Sequence, residues 1–121
     1  MIDHTGVDVT DIAKSKAFYR VALAPLGYEV VMEWGQAAGF GVPPKPDFWI
    51  GEGTPNAPPI HIAFRAESRQ QVDAFFAAAL AAGGRDNGAP GSRPHYHADY
   101  YGAFVLDPDG HNIEAVCHLP P

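Results

Sequence analysis

Residues 61–84, HIAFRAESRQQVDAFFAAALAAGG, repeat the pattern of residues 4–27, HTGVDVTDIAKSKAFYRVALAPLG, at a constant offset of 57 positions without a gap. Several non-alanine residues are identical in this register, and a histidine opens each segment while a glycine closes it. These pairs are His4 and His61, Phe18 and Phe75, Leu23 and Leu80, and Gly27 and Gly84. Self-similarity at a fixed spacing indicates repeated supersecondary units, so the chain is predicted to contain two copies of one module.

Each copy predicts a strand followed by a helix. Residues 60–64 alternate apolar and polar side chains, as a half-buried strand does. In residues 68–84 the apolar side chains recur with helical spacing, which predicts an amphipathic helix. Ser68 followed by Gln71 is typical of a helix start, and two glycines mark its end. The first copy shows the same order in residues 3–27, with Thr10 or Asp11 as the candidate cap.

Further strands are predicted to complete each module, since segments rich in β-forming residues follow both helices. They are residues 28–34, 36–42 and 47–51 in the first copy, and residues 100–106 and 112–118 in the second, where a Pro-Asp-Gly turn joins the last two. Residues 85–99 are rich in Gly and Pro and predict one weak strand plus a loop over a pocket. The expected fold class is α+β, with two βαβββ modules at residues 1–52 and 58–121 inside one domain spanning 1–121.

Composition restricts the partners and the location. Eight basic against fourteen acidic residues give a net charge of −6, and the basic residues form no stripe, which disfavours nucleic acid and anionic membranes as partners. No apolar run is long enough for a membrane span, and the N-terminus lacks the pattern of a signal peptide. The single cysteine, Cys117, excludes an internal disulfide and is expected to be a small core residue. A cytoplasmic location is therefore expected.

Three side chains form a candidate metal centre. His4 and His61 occupy equivalent positions of the two copies, so a pseudo-two-fold axis would bring them together from opposite sides of one cavity. Glu114 alternates with Ile113 in a predicted strand, and an unpaired carboxylate there is costly to bury. Two histidines and one carboxylate make a facial triad that leaves metal positions open for substrate. Ordinary hydrogen-bonded histidines and a solvent-facing glutamate remain the alternative interpretation.

The segments that carry these residues also carry a family likeness. They read DHTGV at residues 3–7, SKAFY at 15–19, HIAF at 61–64 and YGAFVLDPDGHNIE at 101–114. The chain resembles, over essentially its whole length, the vicinal oxygen chelate superfamily of glyoxalase I, fosfomycin-resistance thiol transferases, type I extradiol dioxygenases and bleomycin-resistance proteins. The resemblance implies mixed sheets curled around a cavity, with the helices outside. It also implies that His4, His61 and Glu114 bind a divalent Zn, Ni, Mn or Fe ion.

The chemistry implied by the resemblance starts from a small-molecule substrate with two neighbouring oxygens. A divalent cation takes both oxygens and stabilises the negative charge that develops on them. The leading expectation is a metal-dependent glyoxalase-like enzyme related to lactoylglutathione lyase, with glutathione as the candidate co-substrate. The alternatives are an extradiol dioxygenase-like enzyme, a thiol transferase of the fosfomycin-resistance type, and a metal-free binding protein of the bleomycin-resistance type.

Other residues near the candidate centre have expected roles of their own. Glyoxalase I uses a fourth ligand from the first module, where this chain offers only Glu52 at a strand end and Trp49 as the residue expected to face the cavity. Tyr100 or Tyr101, together with His97, is expected to orient substrate or move a proton beside Glu114.

Two further expectations concern assembly and a turn residue. Short members of the superfamily often share sheets between chains, so a homodimer is expected. In it, His4 would come from one chain, and His61 and Glu114 from the other; a self-contained site remains the alternative. His111, in the turn between the last two strands, is expected to be exposed to solvent.

Overall fold

The computed structural model describes residues 1–121 and contains two four-stranded mixed sheets with one helix each. The first half consists of β1 (Thr5–Val9), α1 (Ile12–Ala22), a 3-10 turn (Ala24–Leu26), β2 (Glu29–Trp34), β3 (Ala37–Gly41) and β4 (Phe48–Glu52). The second half consists of β5 (His61–Arg65), α2 (Arg69–Ala81), β6 (Arg85–Ser92), β7 (Tyr101–Leu106) and β8 (Asn112–Cys117). The predicted α+β fold class is confirmed.

The two sheets have the same topology. Their strand orders are β1-β4-β3-β2 and β5-β8-β7-β6, and in each the first pair is parallel while the other pairs are antiparallel. In each sheet the helix carries the chain from the first strand to the strand at the opposite edge. The chain then runs back strand by strand, so that the last strand lies parallel to the first. Neither sheet closes into a barrel.

Both helices begin at the side chains that the sequence predicts. The Asp11 carboxylate accepts a hydrogen bond from the Lys14 amide, and the Ser68 hydroxyl accepts one from the Gln71 amide. Such caps satisfy backbone donors that have no partner within the helix. In a capping box the residue at the position of Gln71 would accept a hydrogen bond from the amide of Ser68. Here the Gln71 side chain accepts one from the amide of Glu67 instead, one residue earlier.

One continuous core joins the two halves. The helices α1 and α2 pack against each other, and each also covers one face of its own sheet. Phe48 of β4 and Phe64 of β5 meet edge to face with ring centroids 5.2 Å apart, which connects the two sheets directly. Because each helix packs on one face of its sheet, the opposite face is not covered by a helix. Cys117 is buried in the core, as predicted.

The turn before β8 fastens the second half onto the first. The buried Tyr19 hydroxyl of α1 donates a 2.5 Å hydrogen bond to Asp107, and the carboxylate of Asp109 accepts hydrogen bonds from the amide and hydroxyl of Thr10. Desolvation raises the pKa of Tyr19 well above its usual value, and the neighbouring Asp107 charge raises it further. The phenol therefore remains a hydrogen-bond donor over the whole physiological range.

The expectation that His111 is exposed is wrong. Its side chain is fully buried, and its Nδ1 accepts a 3.1 Å hydrogen bond from the amide of Ile60. Its own amide donates to Asp107. The turn folds back over the residue that precedes β5, and this long-range contact buries the imidazole.

Neither helix is long and apolar enough to cross a membrane.

Candidate metal centre

Strand alternation separates the side chains that build the core from those that build the candidate site. In the second sheet, Ile113 and Val105 face the helices and are fully buried. Phe104 pairs directly with Glu114 across β7 and β8, so both side chains lie on the opposite face. The ring of His61, at the start of β5, lies 6.1 Å from the Phe104 ring on this face. We call this surface the second face.

Glu114 is the centre of the second face. Only 1% of the residue is exposed, and one carboxylate oxygen lies 2.9 Å from Nε2 of His61. The other carboxylate oxygen accepts a short hydrogen bond from the Tyr100 hydroxyl. A carboxylate buried without partners is costly, and these two contacts compensate for that cost. The His61 side chain remains half exposed, which leaves an approach to the pair from solvent.

Gly102 makes room for the contact between Tyr100 and Glu114. A Cβ atom at this position would lie 3.2 Å from both the Glu114 carboxylate and the Tyr100 ring. Desolvation is the main cause that raises the pKa of Tyr100, and its bond to the Glu114 carboxylate raises the pKa further. Tyr100 is therefore neutral at physiological pH, and its hydroxyl donates a hydrogen bond to the carboxylate oxygen.

A histidine pair packs behind Tyr100. Nε2 of His97 lies 2.7 Å from Nδ1 of His118, and the Tyr100 ring meets each imidazole at 5.4 Å. The amide of Asp99 donates to Nδ1 of His97, so a neutral His97 carries its proton on Nε2 and donates it to His118. The sequence alone indicates no role for His118, although the residue continues the strand alternation of Glu114 at a spacing of four residues.

Tyr101, the other predicted catalytic tyrosine, lies on the helix side of the sheet. Its hydroxyl donates a 2.7 Å hydrogen bond to Asp73 of α2, and the guanidinium of Arg69 lies 4.9 Å from its ring centroid. The bond to Asp73 is the largest cause that raises the pKa of Tyr101. The structure thus brings Tyr100, but not Tyr101, to the Glu114 carboxylate.

His4 lies just before β1 on the corresponding face of the first sheet, which we call the first face. It borders a groove of about 630 Å³ together with Trp34 and Trp49, and 61% of its side chain is exposed. Its Nδ1 lies 2.8 Å from the carboxylate of Asp3. This hydrogen bond is the largest cause that lowers the pKa of Asp3, and Lys45 lowers it further.

The structure does not bring all three predicted ligands together within one chain. His61 and Glu114 are in contact, whereas His4 lies apart from them on the first face. No three His, Cys, Asp or Glu side chains of a single chain converge in an arrangement that holds a metal ion.

The register of the strands identifies the counterpart of Glu114 in the first module. Gly6 of β1 pairs with Trp49, and the equivalent Ala63 of β5 pairs with Glu114. Trp49 therefore occupies the position at which a fourth ligand would stand. Glu52, the acidic residue that the sequence offers for that role, lies on the helix side, where its carboxylate accepts a 3.0 Å hydrogen bond from the amide of Ile12. This bond places Glu52 at the start of α1 rather than on the first face.

Comparison with known proteins gives a family and a fold. The model of the Glyoxalase/Bleomycin resistance protein/Dioxygenase superfamily matches residues 1–115. A glyoxalase/bleomycin resistance protein from Albidiferax ferrireducens is 31% identical, with 95% of this chain and 97% of that chain covered and a TM-score of 0.79. No curated protein matches the sequence.

Two more distant structures share the fold. A glyoxalase/bleomycin resistance protein/dioxygenase family enzyme from Burkholderia phytofirmans is 18% identical, with 98% of each chain covered and a TM-score of 0.75. A lactoylglutathione lyase from Agrobacterium tumefaciens is 20% identical, with 97% of this chain and 92% of that chain covered and a TM-score of 0.69. With a family model that matches nearly the whole chain, this protein belongs to the Glyoxalase/Bleomycin resistance protein/Dioxygenase superfamily.

Proposed function

We propose that the protein is a metal-dependent glyoxalase-like enzyme, related to lactoylglutathione lyase, that acts on a small substrate with two neighbouring oxygens. We further propose that it works as a homodimer. His61 and Glu114 of one chain and His4 of a second copy hold the divalent ion. The observation that carries the proposal is the buried Glu114 carboxylate in contact with His61, on a sheet face that the helices leave free.

The donor set fits a divalent ion. Imidazole nitrogen and carboxylate oxygen suit Zn, Ni, Mn and Fe alike. Nε2 of His61 and one Glu114 oxygen already lie 2.9 Å apart, so two ligands are preorganised by strand pairing. The remaining carboxylate oxygen is fixed by Tyr100. A hydrogen-bonded outer partner of this kind orients a ligating carboxylate.

The third ligand is the reason to propose a second copy. His4 stands on the first face at the position equivalent to His61, with most of its side chain exposed. The same face carries Trp34, which is 82% exposed. A large apolar ring on a free sheet face favours burial against another surface. A dimer in which the first face of one chain meets the second face of the other would bring His4 to His61 and Glu114.

The residues of this chain have separable roles in the proposed reaction. When bound, the metal would take both substrate oxygens and stabilise the charge that develops on them. Tyr100 holds the Glu114 carboxylate in place, and the pair of His97 and His118 fixes the Tyr100 ring. Trp49 supplies an apolar wall on the first face, and a substrate that packs against this wall displaces water from it.

Metal content tests the proposal. We expect about one divalent ion per chain in the purified protein, and its loss in His61→Ala, because removal of a ligand abolishes a three-ligand site. His95→Ala, which removes an exposed loop histidine, is the matched control and is expected to keep the metal. Unchanged metal affinity in both His61→Ala and Glu114→Gln would contradict the proposal.

Mixing two variants tests whether the site is shared. His4→Ala and His61→Ala are each expected to lose the metal. A heterodimer of the two keeps one intact site, formed by His4 of one chain and His61 of the other. Random exchange of subunits should therefore restore metal to about a quarter of the sites. No recovery after demonstrated exchange would show that each chain builds its site alone.

The reactions known in the family can be distinguished by the substrates and co-substrates that each one consumes. Hemithioacetals of glutathione test the isomerase, catechols with oxygen uptake test the ring-cleaving dioxygenase, and epoxides with glutathione consumption test the thiol transferase. Binding without turnover is the second candidate function, and the groove beside Trp34 and Trp49 favours it. A protein that binds apolar ligands in this groove and gains no affinity on addition of Ni, Mn, Zn or Fe(II) would be a binding protein.

A further inference from the structure

We propose that Arg93 is the specificity-determining residue of this site and binds a carboxylate group at the far end of a planar substrate. The inference rests on the proposed function for the position of the reacting end, at His61 and Glu114. It adds the chemical class of the substrate, a planar acid.

The guanidinium of Arg93 is held in one place. It lies 5.5 Å from the centroid of the Phe104 ring, and its Nη2 donates a 2.8 Å hydrogen bond to the carbonyl of Ala89. Nη1 lies 3.5 Å from the carbonyl of Ser92. Stacking on an aromatic face and carbonyl contacts together restrict a side chain that would otherwise sample many rotamers.

Two glycines of β6 make the space for this guanidinium. A Cβ atom at Gly88 would lie 3.4 Å from Nη2 and 2.9 Å from the Phe104 ring, and one at Gly91 would lie 3.1 Å from Nη1. The pairing of β6 with β7 is irregular between Asp86 and Gly91, so the strand departs from regular pleating where it receives the arginine. The sequence of β6 thus builds a cradle for Arg93.

The charge of Arg93 has no partner within the chain. None of the ion pairs involves it, and the two carbonyl contacts use only part of its five N–H donors. A fixed guanidinium with free donors matches the two oxygens of a carboxylate. An unpaired, preorganised cation of this kind is typical of an anion-binding position.

Phe104 connects this position to the candidate metal centre. Its ring centroid lies 5.5 Å from the Arg93 guanidinium and 6.1 Å from the centroid of the His61 ring. A substrate whose two oxygens are at His61 and Glu114 would cross Phe104 to reach Arg93. A flat unsaturated or aromatic body packs best on a ring, so the substrate class is a planar carboxylate with neighbouring oxygens.

Benzoate and benzamide test the carboxylate position, and their comparison in His61→Ala as well as in wild type separates this position from the metal centre, because a carboxylate can also bind a metal ion directly. Affinities are measured on the purified protein by NMR titration of its amide signals. Wild type is expected to bind benzoate about tenfold more tightly than benzamide, as a charge-assisted bidentate pair favours the acid. Arg93→Gln should lower the affinity for benzoate to that for benzamide. Arg85→Gln removes an exposed arginine from the same strand and should keep the preference.

The matched pair 3,4-dihydroxybenzoate and 3,4-dihydroxybenzamide tests the connection to the metal centre. In metal-loaded protein both should bind, with the acid favoured, and His61→Ala should weaken both equally while the preference for the acid persists. Equal affinities for benzoate and benzamide in wild type, or a preference that survives Arg93→Gln, would overturn the role of Arg93. Unchanged binding of both catechols in His61→Ala would instead count against the proposed function alone.

Discussion

The first and second faces have the same topology but carry different chemistry. His4 and His61 are equivalent, whereas Trp49 stands on the first face where Glu114 stands on the second. The first face is apolar and open, with Trp34 and Trp49 beside an exposed histidine. The two copies of the module thus share the histidine and differ at the position of Glu114. Under the proposed function, the first copy would supply one ligand and an apolar wall, and the second copy would supply two ligands.

The divergence continues on the neighbouring strands. Gly39 of β3 pairs with Trp49, and a Cβ atom at Gly39 would lie 2.9 Å from the indole ring. At the equivalent place in the second sheet, Phe104 of β7 pairs with Glu114. The large ring is thus on β4 in one face and on β7 in the other.

The largest expected effect comes from truncating the two equivalent residues. Glu114→Ala should lower metal affinity more than about 100-fold, because it removes a ligand and not merely an outer partner. Trp49→Ala should leave metal affinity within about twofold and weaken binding of aromatic ligands instead. Both are measured by titration with Zn or Ni in competition with a chelator, with circular dichroism as the check on folding. Similar losses of metal in the two variants would remove the distinction between the faces.

The sequence predicts the fold well because the repeat carries local signals twice. Asp11 and Ser68 are caps whose partners lie three residues away, so neighbouring residues suffice to identify them. Glu114 could likewise be placed opposite Ile113 by alternation alone. Each of these predictions depends on contacts close in sequence or on strand periodicity, which a single chain displays directly.

The features that the sequence leaves open depend on contacts between distant segments, and so does its wrong expectation for His111. Whether Tyr100 or Tyr101 faces Glu114 depends on the register of β7 against β8, in which Tyr101 pairs with Cys117. The burial of His111 depends on the docking of Ile60, 51 residues away. His118 has a role only because the loop before β7 brings His97 to it. These contacts join segments that are distant in the chain, so strand alternation alone does not predict them.

The adjacent tyrosines give the second comparison, with a smaller effect. Tyr100→Phe removes the donor to the Glu114 carboxylate and should lower metal affinity about tenfold, as expected for an outer partner of a ligand. Tyr101→Phe removes a hydrogen bond to Asp73 on the helix side. It should cost about 1 kcal/mol of unfolding free energy and leave metal affinity unchanged. Metal titration and urea unfolding of both variants measure the two effects. A loss of metal affinity confined to Tyr101→Phe would reverse the assignment of the two faces of β7.

The smallest expected effect concerns Glu52, whose spacing from Pro46 equals that of Glu114 from Pro108. Glu52→Gln keeps the shape of the side chain but weakens its bond to the amide of Ile12 and removes a negative charge from the start of α1. Unfolding free energy should fall by about 0.5–1 kcal/mol, in the range of other charges at helix starts. Metal affinity should not change, because the side chain lies on the helix side of β4. The same Glu-to-Gln change at position 114 is the control, and unlike Glu52→Gln it should lower metal affinity. If Glu52→Gln also lowered metal affinity, the first module would supply an acidic ligand. The two modules would then supply the same number of ligands and would differ only in where the acidic residue lies along its strand.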